Sequence, residues 1–357
     1  MTAWRVDATL LPNGDTVAAG ITEVGTWTSV PAVDAEQLPG RFILPGLVDA
    51  HCHLGVTRNE QGEPVGLDVD AAAANLAAAG AAGVTTIRDI GSPRRITLQL
   101  LAREGDGGLL VCGRFLAPAG QYYPALYDPV PVEALVDAAL AEVAAGARWV
   151  KLIGDFAVTL PDGNRTPPVP TYPIAEVGRL VEAVHAAGAR VAAHTTTTHV
   201  KALIEAGIDS VEHGFGLDAD DLATLARRGG AWTPTLCALT AAPPGPDDPE
   251  RRAERARVQE RLPYLLTVAA DLGVTVMTGT DIAGTVAAEV ALLVQFGLEP
   301  SAALAAASTA ARRFLGLPAV GTDGQPVDLV TYHEDPRDDP DTLARPAAVV
   351  ARGVRIR

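Results

Sequence analysis

Residues 188–214, GARVAAHTTTTHVKALIEAGIDSVEHG, contain one complete β-α-β unit. Two short apolar runs, at 190–194 and 209–213, flank an amphipathic stretch at 199–206, and each run ends in a histidine. Gly207 separates the stretch from the second run, and glycine is the residue expected at the left-handed cap that ends a helix. The segment therefore predicts two neighbouring parallel strands that are joined by a helical crossover.

The same alternation continues through the middle of the chain. Apolar runs predict eight strands, at residues 42–50, 84–90, 109–115, 148–153, 190–194, 209–213, 231–236 and 274–281. Helical spacing predicts helices between them, at residues 69–82, 132–145, 174–187, 199–206, 219–228, 250–272 and 285–296. Eight strands with helical crossovers favour an α/β fold of the closed (β/α)8 TIM-barrel type over a doubly wound sheet.

Both ends of the chain have a different pattern. Residues 4–39 are short β-like pieces separated by turn signals such as Asn13-Gly14-Asp15, and β-like runs return at 327–332 and 347–356. Neither end is long enough to fold alone. We therefore expect residues 1–41 and 318–357 to pair into one small β-sandwich-like domain, with residues 42–317 forming the barrel.

Composition disfavours several classes of protein. The 357 residues carry a formal net charge of −15, which would repel nucleic-acid phosphates. No apolar run reaches the roughly 18 residues of a membrane span, and the first residues lack the pattern of a signal peptide. Cys52, Cys112 and Cys237 have no paired spacing, which suits a reducing cytoplasm. We expect a cytoplasmic protein, and a homo-oligomer would be ordinary for this architecture.

Side chains that bind metals fall at the ends of the predicted strands. His51 and His53 end the first strand, and alternate strand residues share a face, so both imidazoles can reach one ion. A lone His-x-His pair is also compatible with polar residues at a strand end. Four other strands supply further candidates at corresponding positions: Lys151, His194, His213 and Asp281. Because barrel enzymes place their sites at this face, the set predicts a metal-dependent enzyme.

Four segments resemble those of the amidohydrolase superfamily, in the branch of prolidase-like dipeptidases and imidazolonepropionases. They are LPGLVDAHCH at 44–53, GVTTIRD at 83–89, VEHG at 211–214 and GTD at 279–281. The resemblance covers nearly the whole chain and implies a binuclear metal centre. The implied ligands are His51, His53 and Asp281 for the first metal, His194 and His213 for the second, and Lys151, carboxylated by carbon dioxide, as the bridge.

The resemblance also implies a mechanism. Two metals would lower the pKa of a shared water, and the bridging hydroxide would attack a polarised carbonyl. Asp281 would take the proton and deliver it to the leaving amine. Zinc suits imidazole and carboxylate ligands, and manganese, iron or cobalt share that geometry. A carbamate on Lys151 fits because an ammonium has no lone pair, and the alternative is a lysine that snorkels or pairs with a carboxylate.

Two segments near the strand ends are candidates for substrate binding. The loop after the third strand contains Tyr122 and Tyr123, and it lacks the Gly-Gly-His-Gly segment that relatives in this branch commonly carry. Either tyrosine could contact substrate or simply pack the loop. Residues 156–170 predict a long lid or specificity loop, in which Arg165 would bind a substrate carboxylate. His199 is a further candidate, with a solvent-facing position as the alternative.

Other polar residues near the strand ends have structural explanations. Arg88 and Asp89 end the second strand, where they could line the site, and we favour the alternative of an ion pair between them behind it. Cys52 lies between two proposed ligands but faces the opposite side of its strand, so it is expected in the core. His185 lies on an amphipathic helix, where packing or surface exposure is expected.

The sequence therefore predicts hydrolysis of an amide C–N bond, with a small dipeptide or an N-acyl amino acid as substrate. A lactone, another ester or a cyclic amide is the alternative, because the same hydroxide attacks esters. A mononuclear deaminase is disfavoured, since such relatives place a glutamate shortly after the fifth-strand histidine, whereas threonines follow His194 here. A non-catalytic barrel scaffold is disfavoured because all six proposed ligands are present.

Overall fold

The computed structural model describes residues 3–105, 107–160, 165–241 and 249–357. These residues form a (β/α)8 TIM barrel and a small β domain. The strands are β1 Trp4–Leu10, β2 Asp15–Ile21, β3 Trp27–Thr28, β4 Glu36–Gln37, β5 Phe42–Pro45, β6 Leu47–Cys52, β7 Val56–Arg58, β8 Pro64–Gly66, β9 Val84–Asp89, β10 Leu109–Val111, β11 Phe115–Leu116, β12 Trp149–Ile153, β13 Asp155–Thr159, β14 Arg165–Pro170, β15 Arg190–Thr195, β16 Ser210–His213, β17 Ala231–Thr233, β18 Thr275–Val276, β19 Leu329–Tyr332, β20 Ala348–Ala351 and β21 Val354–Arg355. The helices are α1 Val69–Ala81, α2 Ile96–Glu104, α3 Leu135–Ala144, α4 Ile174–Ala186, α5 Val200–Ala206, α6 Ala219–Arg227, α7 Leu236–Thr240, α8 Pro249–Leu272, α9 Val286–Gln295, α10 Pro300–Ala306 and α11 Thr309–Phe314.

Strands from the two ends of the chain share one eight-stranded sheet. Its order is β21-β20-β19-β5-β1-β2-β3, and β4 pairs with β1. In the antiparallel pair β1–β2, Val6 lies opposite Ala19, and both side chains join a core cluster with Trp27. The sheet therefore has an apolar core separate from that of the barrel. The division of the chain into domains at residues 41 and 318 stays a prediction.

The strand predicted at 42–50 is two strands in the structure. The first, β5, pairs with β1 and β19 in the terminal sheet, whereas β6 pairs with β9 in the barrel. Gly46 separates them, and a Cβ atom at this position would lie 1.9 Å from Thr85 Oγ1. The close approach admits only glycine here, and it allows a continuous apolar run to serve two sheets.

Eight strand positions surround the barrel axis in the described part of the chain. They are β6, β9, the divided strand β10 and β11, β12, β15, β16, β17 and β18. Neighbouring strands pair in parallel from β6 to β10 and from β11 to β18. The Ala50 amide donates to the Thr278 carbonyl at 2.9 Å and joins the last position to the first. The eight predicted strands occupy these positions.

The helices cover the barrel with apolar faces. Helix α4 buries Val177, Leu180, Val181 and Val184 at helical spacing. The seven predicted helices are present with small differences at their ends, and prediction missed α2, α7, α10 and α11. Each of these has nine residues or fewer, so it offers little periodic signal. None of the described helices is both long enough and apolar enough to span a membrane.

The segment predicted as a long loop at 156–170 is largely an antiparallel hairpin. Asp155 pairs with Pro170, Phe156 with Val169, and Thr159 with Arg165. Residues 161–164 of the predicted loop lie outside the described residues. The predicted loop is therefore strand-paired over most of its described length, and its role as a lid or specificity element stays a prediction. The ladder of backbone hydrogen bonds gives Phe156 and Arg165 a regular support at the end of the fourth barrel strand.

Candidate active site

The ends of the barrel strands bring the proposed histidine ligands into contact. The His51 ring centroid lies 5.5 Å from that of His53 and 4.8 Å from that of His213. The rings of His194 and His213 are 4.6 Å apart. One ligand atom from each of His51, His53 and Asp281 can be chosen so that all three lie within 4.8 Å of one another. Parallel strands end at one face of the barrel, so residues far apart in sequence meet there.

Two of the imidazoles are oriented by hydrogen bonds through Nδ1. His53 Nδ1 lies 2.9 Å from the Gly91 carbonyl, which can only accept, so this nitrogen carries the proton. His213 Nδ1 lies 2.7 Å from the Thr235 hydroxyl, which itself donates to the Pro234 carbonyl. The hydroxyl therefore accepts from His213. In both rings the Nε2 lone pair is left free, as metal binding requires.

The third oriented imidazole belongs to a buried ion pair. His51 Nδ1 lies 2.7 Å from one carboxylate oxygen of Glu212, and Arg88 binds the other at 2.8 Å. The expected ion pair between Arg88 and Asp89 is therefore wrong. Asp89 instead accepts from the Thr97 hydroxyl at 2.9 Å. The long Arg88 side chain reaches across the barrel interior to β16. The residues beside Arg88 on its own strand therefore gave no indication of this partner.

Lys151 is buried at the barrel mouth, where no described residue offers its amine a polar partner. Its side chain is 1% exposed, and its Nζ atom has no hydrogen-bond partner among the described residues. Burial lowers the pKa of Lys151 to about 8, and the carboxylate of Glu212 acts in the opposite direction. The amine is thus neither exposed to solvent nor paired with an acid in the described part of the chain.

Two proposed ligands have strained backbones. The φ angles of His213 and Asp281 are 65° and 57°, in the left-handed region that non-glycine residues rarely adopt. Such strain costs about 1–3 kcal/mol per residue and occurs preferentially at functional sites. Gly279 permits the eighth strand to approach the first, because a Cβ atom there would lie 2.6 Å from His51 Cβ. The backbone around Asp281 is therefore held in place by close packing.

Burial keeps the imidazoles neutral. It lowers the pKa of His194 to about 4, and the neighbouring Lys151 acts in the same direction. The pKa values of His51 and His213 lie well below the ordinary value, again because burial disfavours the charged form. Neutral imidazole is the form that binds a metal ion. The site therefore provides several uncharged nitrogen donors near pH 7.

Aromatic rings form one wall of the site. Phe115 lies 5.4 Å from the His53 ring, and Phe156 lies 5.7 Å from the His194 ring, measured between centroids. Tyr122 packs between the two phenylalanines at 4.9 and 5.1 Å. All three aromatic side chains are buried. This wall places apolar surface beside both groups of proposed ligands.

Arg165 lies at the outer side of this wall. Its guanidinium is 4.8 Å from the Phe156 ring centroid and 5.7 Å from that of Tyr123. The residue is exposed and makes no ion pair with another described residue. His199 has a different place, lining a surface cavity of about 530 Å³ together with Pro168. The ring contacts therefore place Arg165, Tyr122 and Tyr123 at one wall of the site. None of these contacts includes His199.

Prediction from the sequence missed Glu212 and Thr235. Both orient a proposed ligand rather than binding metal themselves. A signal for Glu212 exists, because an acidic residue interrupts an apolar strand directly before His213. Thr235 offers no comparable signal, since threonine is common at strand ends. Its role depends on the distance between two neighbouring strands.

The comparisons with known proteins agree with this architecture. Residues 42–355 match the model of the amidohydrolase family. An uncharacterized protein of Mycobacterium bovis is 35% identical over 341 residues, which cover 92% of this chain and 89% of that protein. A solved Xaa-Pro dipeptidase with bound methionine has a TM-score of 0.79 and 21% identity, with 99% of both chains covered. The ochratoxinase of A. niger has a TM-score of 0.81 and 19% identity, covering 100% of this chain and 96% of that one.

The family model shows the family of this chain, whereas the two solved structures show only its fold. The two solved structures are too dissimilar in sequence to show more than a shared fold. The family model, by contrast, spans the barrel and the returning part of the terminal sheet. It confirms the resemblance that the four sequence segments indicated. The chain belongs to the amidohydrolase family and is a hydrolytic enzyme of that family.

Proposed function

We propose that this enzyme hydrolyses the amide C–N bond of a small dipeptide or an N-acyl amino acid, using two divalent metal ions, with zinc as the expected metal. Two buried atoms carry this proposal. His51 Nε2 and Lys151 Nζ have no hydrogen-bond partner among the described residues. Leaving a buried polar group unpaired costs about 1–3 kcal/mol. Two such atoms at one barrel mouth support a site built for a ligand.

The donor set fits two metal ions. His51, His53 and Asp281 would hold the first, since their ligand atoms lie within 4.8 Å of one another. His194 and His213 would hold the second, since their rings are in contact. The free Nε2 lone pairs of His53 and His213 support this assignment. Imidazole with carboxylate is a donor set that zinc accepts.

Lys151 would bridge the metals as a carbamate. The chain contains 26 arginines and only two lysines, and one of these two is buried at the barrel mouth. Arginine cannot lose its proton in a protein, so it cannot react with carbon dioxide. The lowered pKa of Lys151 increases the fraction of neutral amine that can. A carbamate would offer an anionic oxygen to each ion.

Asp281 is the proposed proton carrier. When bound, the metals would supply Lewis acidity that activates water and polarises a carbonyl. The Asp281 side chain is 18% exposed, and its Oδ1 lies 3.4 Å from His53 Nε2. This position supports a carboxylate that is open to the mouth, where it would accept the proton of the attacking water. The same oxygen would then protonate the leaving amine.

The aromatic wall would hold the substrate. Arg165 is the proposed partner of a substrate carboxylate, because its guanidinium makes no ion pair with a described residue and is held over two rings. Tyr122 and Tyr123 would contact the apolar part of the substrate. His199 stays a candidate contact at the adjacent surface cavity.

The test is a hydrolysis assay with a panel of dipeptides and N-acyl amino acids, alongside lactones and simple esters. The zinc-loaded enzyme should release free amine from at least one amide, a chelator should abolish that release, and added zinc should restore it. Turnover of lactones or esters without any amide would replace this proposal with the ester alternative. Turnover that persists in the metal-free protein would contradict the metal-dependent mechanism.

A further inference from the structure

Glu212 makes a complete set of hydrogen bonds in the barrel interior. One carboxylate oxygen faces His51 Nδ1 at 2.7 Å. The other accepts from Arg88 at 2.8 Å and from the Ser210 hydroxyl at 2.6 Å. The Glu212 side chain is fully buried. Both oxygens are therefore occupied, and neither is free to bind a metal.

Arg88 is itself fixed on two further sides. Its Nε donates to the Ala50 carbonyl at 2.6 Å, one residue before His51. Its guanidinium lies 4.5 Å from the Trp149 ring centroid, and the residue is fully buried. A buried carboxylate requires such a charged partner, because an unpaired charge in the interior is strongly destabilising. Arg88 therefore pairs with the Glu212 carboxylate and holds it in one orientation.

This arrangement determines which nitrogen of His51 carries the proton. A carboxylate can only accept hydrogen bonds, so His51 Nδ1 must donate to Glu212. The lone pair then lies on Nε2, the buried atom without a partner in the described part of the chain. A hydrogen bond from the far ring nitrogen to a carboxylate both orients a metal-binding imidazole and raises its basicity.

We propose that Glu212 is a positioning residue, which with Arg88 fixes the tautomer and orientation of His51 and so prepares its Nε2 to bind the first metal. This role rests on the proposed metal site. The ion pair also explains why a fully buried arginine crosses the barrel below the ligands. A purely structural ion pair would need no third partner, whereas here the same carboxylate binds an imidazole of the site.

The substitution Glu212→Gln separates these two roles. Arg88 and Ser210 both donate to the same oxygen of Glu212. Glutamine would therefore place its carbonyl oxygen there and turn its NH2 group toward His51. An NH2 group can only donate, so His51 Nδ1 would have to accept, and the proton would move to Nε2. This variant should lose the free lone pair while keeping the shape of the side chain.

Adding Arg88→Met to Glu212→Gln should return the His51 proton to Nδ1. In the Arg88→Met, Glu212→Gln double variant, only the Ser210 hydroxyl remains beside the amide, and a hydroxyl can also accept. The glutamine can then turn its carbonyl toward His51 and restore the proton to Nδ1. Replacing a buried ion pair by neutral groups is often tolerated, so the double variant should fold. Methionine also keeps an apolar contact with Trp149.

The matched control is Glu142→Gln. Glu142 is a buried carboxylate that binds two arginines, Arg95 at 2.9 Å and Arg114 at 2.7 Å. It contacts none of the proposed metal ligands among the described residues. A loss of stability caused by removing a buried carboxylate should therefore appear in this variant, whereas a change in metal binding should not.

Two measurements decide the proposal: zinc affinity by competition with a chelator, and the His51 tautomer in the metal-free protein by NMR of the labelled ring. Glu212→Gln should weaken zinc binding about 10–100-fold and move the proton to Nε2. The double variant should recover most of that affinity, and Glu142→Gln should bind zinc as the wild type does.

Wild-type affinity and an unchanged His51 tautomer in Glu212→Gln would overturn the positioning role alone. A double variant that binds zinc no better than Glu212→Gln would also overturn it, because a structural ion pair predicts no recovery. Absence of zinc binding by the wild type would instead overturn the proposed function, and this role with it.

Discussion

The backbone amide of Asp281 donates to the carbonyl of His51 at 2.7 Å. This bond belongs to the contact between the eighth and first barrel positions, where Cys52 and Asp281 also form a β-bridge. Two proposed ligands of the first metal are thus joined through the main chain, independently of their side chains. The same main-chain contact therefore closes the barrel and brings these two proposed ligands together.

Replacing Asp281 with Asn should remove catalysis and preserve the fold. Asparagine tolerates the left-handed conformation at this position, and the backbone bond to His51 does not depend on the side chain. It cannot take up a proton as a carboxylate does. We expect turnover to fall at least about 100-fold with the thermal unfolding temperature nearly unchanged. Near-normal turnover of metal-loaded Asp281→Asn would contradict the proposed proton carrier.

Replacing Lys151 with Met should reduce the metal content. Methionine fills the buried position without an amine, so no carbamate can form. We expect about two zinc ions per wild-type chain after expression with zinc and bicarbonate, and one or none in the variant. Elemental analysis of purified protein measures this. The matched control is Lys201→Met, because Lys201 is the other lysine of the chain and is exposed. Equal metal content in all three proteins would exclude the bridging role.

Replacing Arg165 with Met should affect substrates that carry a carboxylate. A hydrogen bond to a charged group contributes about 1.5–3 kcal/mol, so kcat/KM for an N-acyl amino acid should fall roughly 10–100-fold. The corresponding carboxamide should be affected little, because it lacks the charge that Arg165 would bind. Steady-state kinetics on the two compounds measures the difference.

The control for this prediction is Arg94→Met, which removes an exposed arginine from the segment after β9. It should leave both substrates unaffected. An equal loss for the acid and the carboxamide in Arg165→Met would assign Arg165 to the structure of the hairpin instead of to the substrate carboxylate.

Glu289 should make the stability of the metal-free protein depend on pH. This buried carboxyl accepts from the amides of Leu236 and Cys237 at 2.7 and 2.8 Å, and burial raises its pKa to about 7. A raised pKa means that the folded state binds the proton more tightly than the unfolded state does. The contribution of Glu289 to the free energy of unfolding should therefore fall as pH rises from about 4.5 to about 7, whereas the buried histidines of the site, whose pKa values are lowered, contribute with the opposite sign.

Relative to the wild type, Glu289→Gln should make the slope of unfolding free energy against pH more positive over this window, because the negative contribution of Glu289 is removed. The exposed control, Glu182→Gln, should leave the slope unchanged. Urea unfolding at several pH values across the window measures both. Asp89, whose pKa burial also raises to about 7, contributes with the same sign, so a residual slope is expected. An unchanged slope in Glu289→Gln would contradict the effect assigned to this carboxyl.

The sequence was sufficient to predict the barrel because its strands and helices alternate with a clear period. His194 and His213 could be placed at one face, since each ends an apolar run and parallel strands end together. Their ring contact at 4.6 Å agrees with that placement. The hairpin at 155–170 was missed because its prolines and glycine are typical of a loop. Its two strands pair with each other in the structure, but neither strand shows an alternating apolar pattern in the sequence.

The sequence by itself determined which residues stand at the strand ends, because a period of two in strands and a helical period between them repeat along the chain. Only the tertiary structure decided the partners of those residues. Glu212 lies 161 positions from His51 and 124 from Arg88, and the three meet only when the barrel closes. Their contact depends on distances across the barrel interior, and local sequence patterns contain no information about those distances.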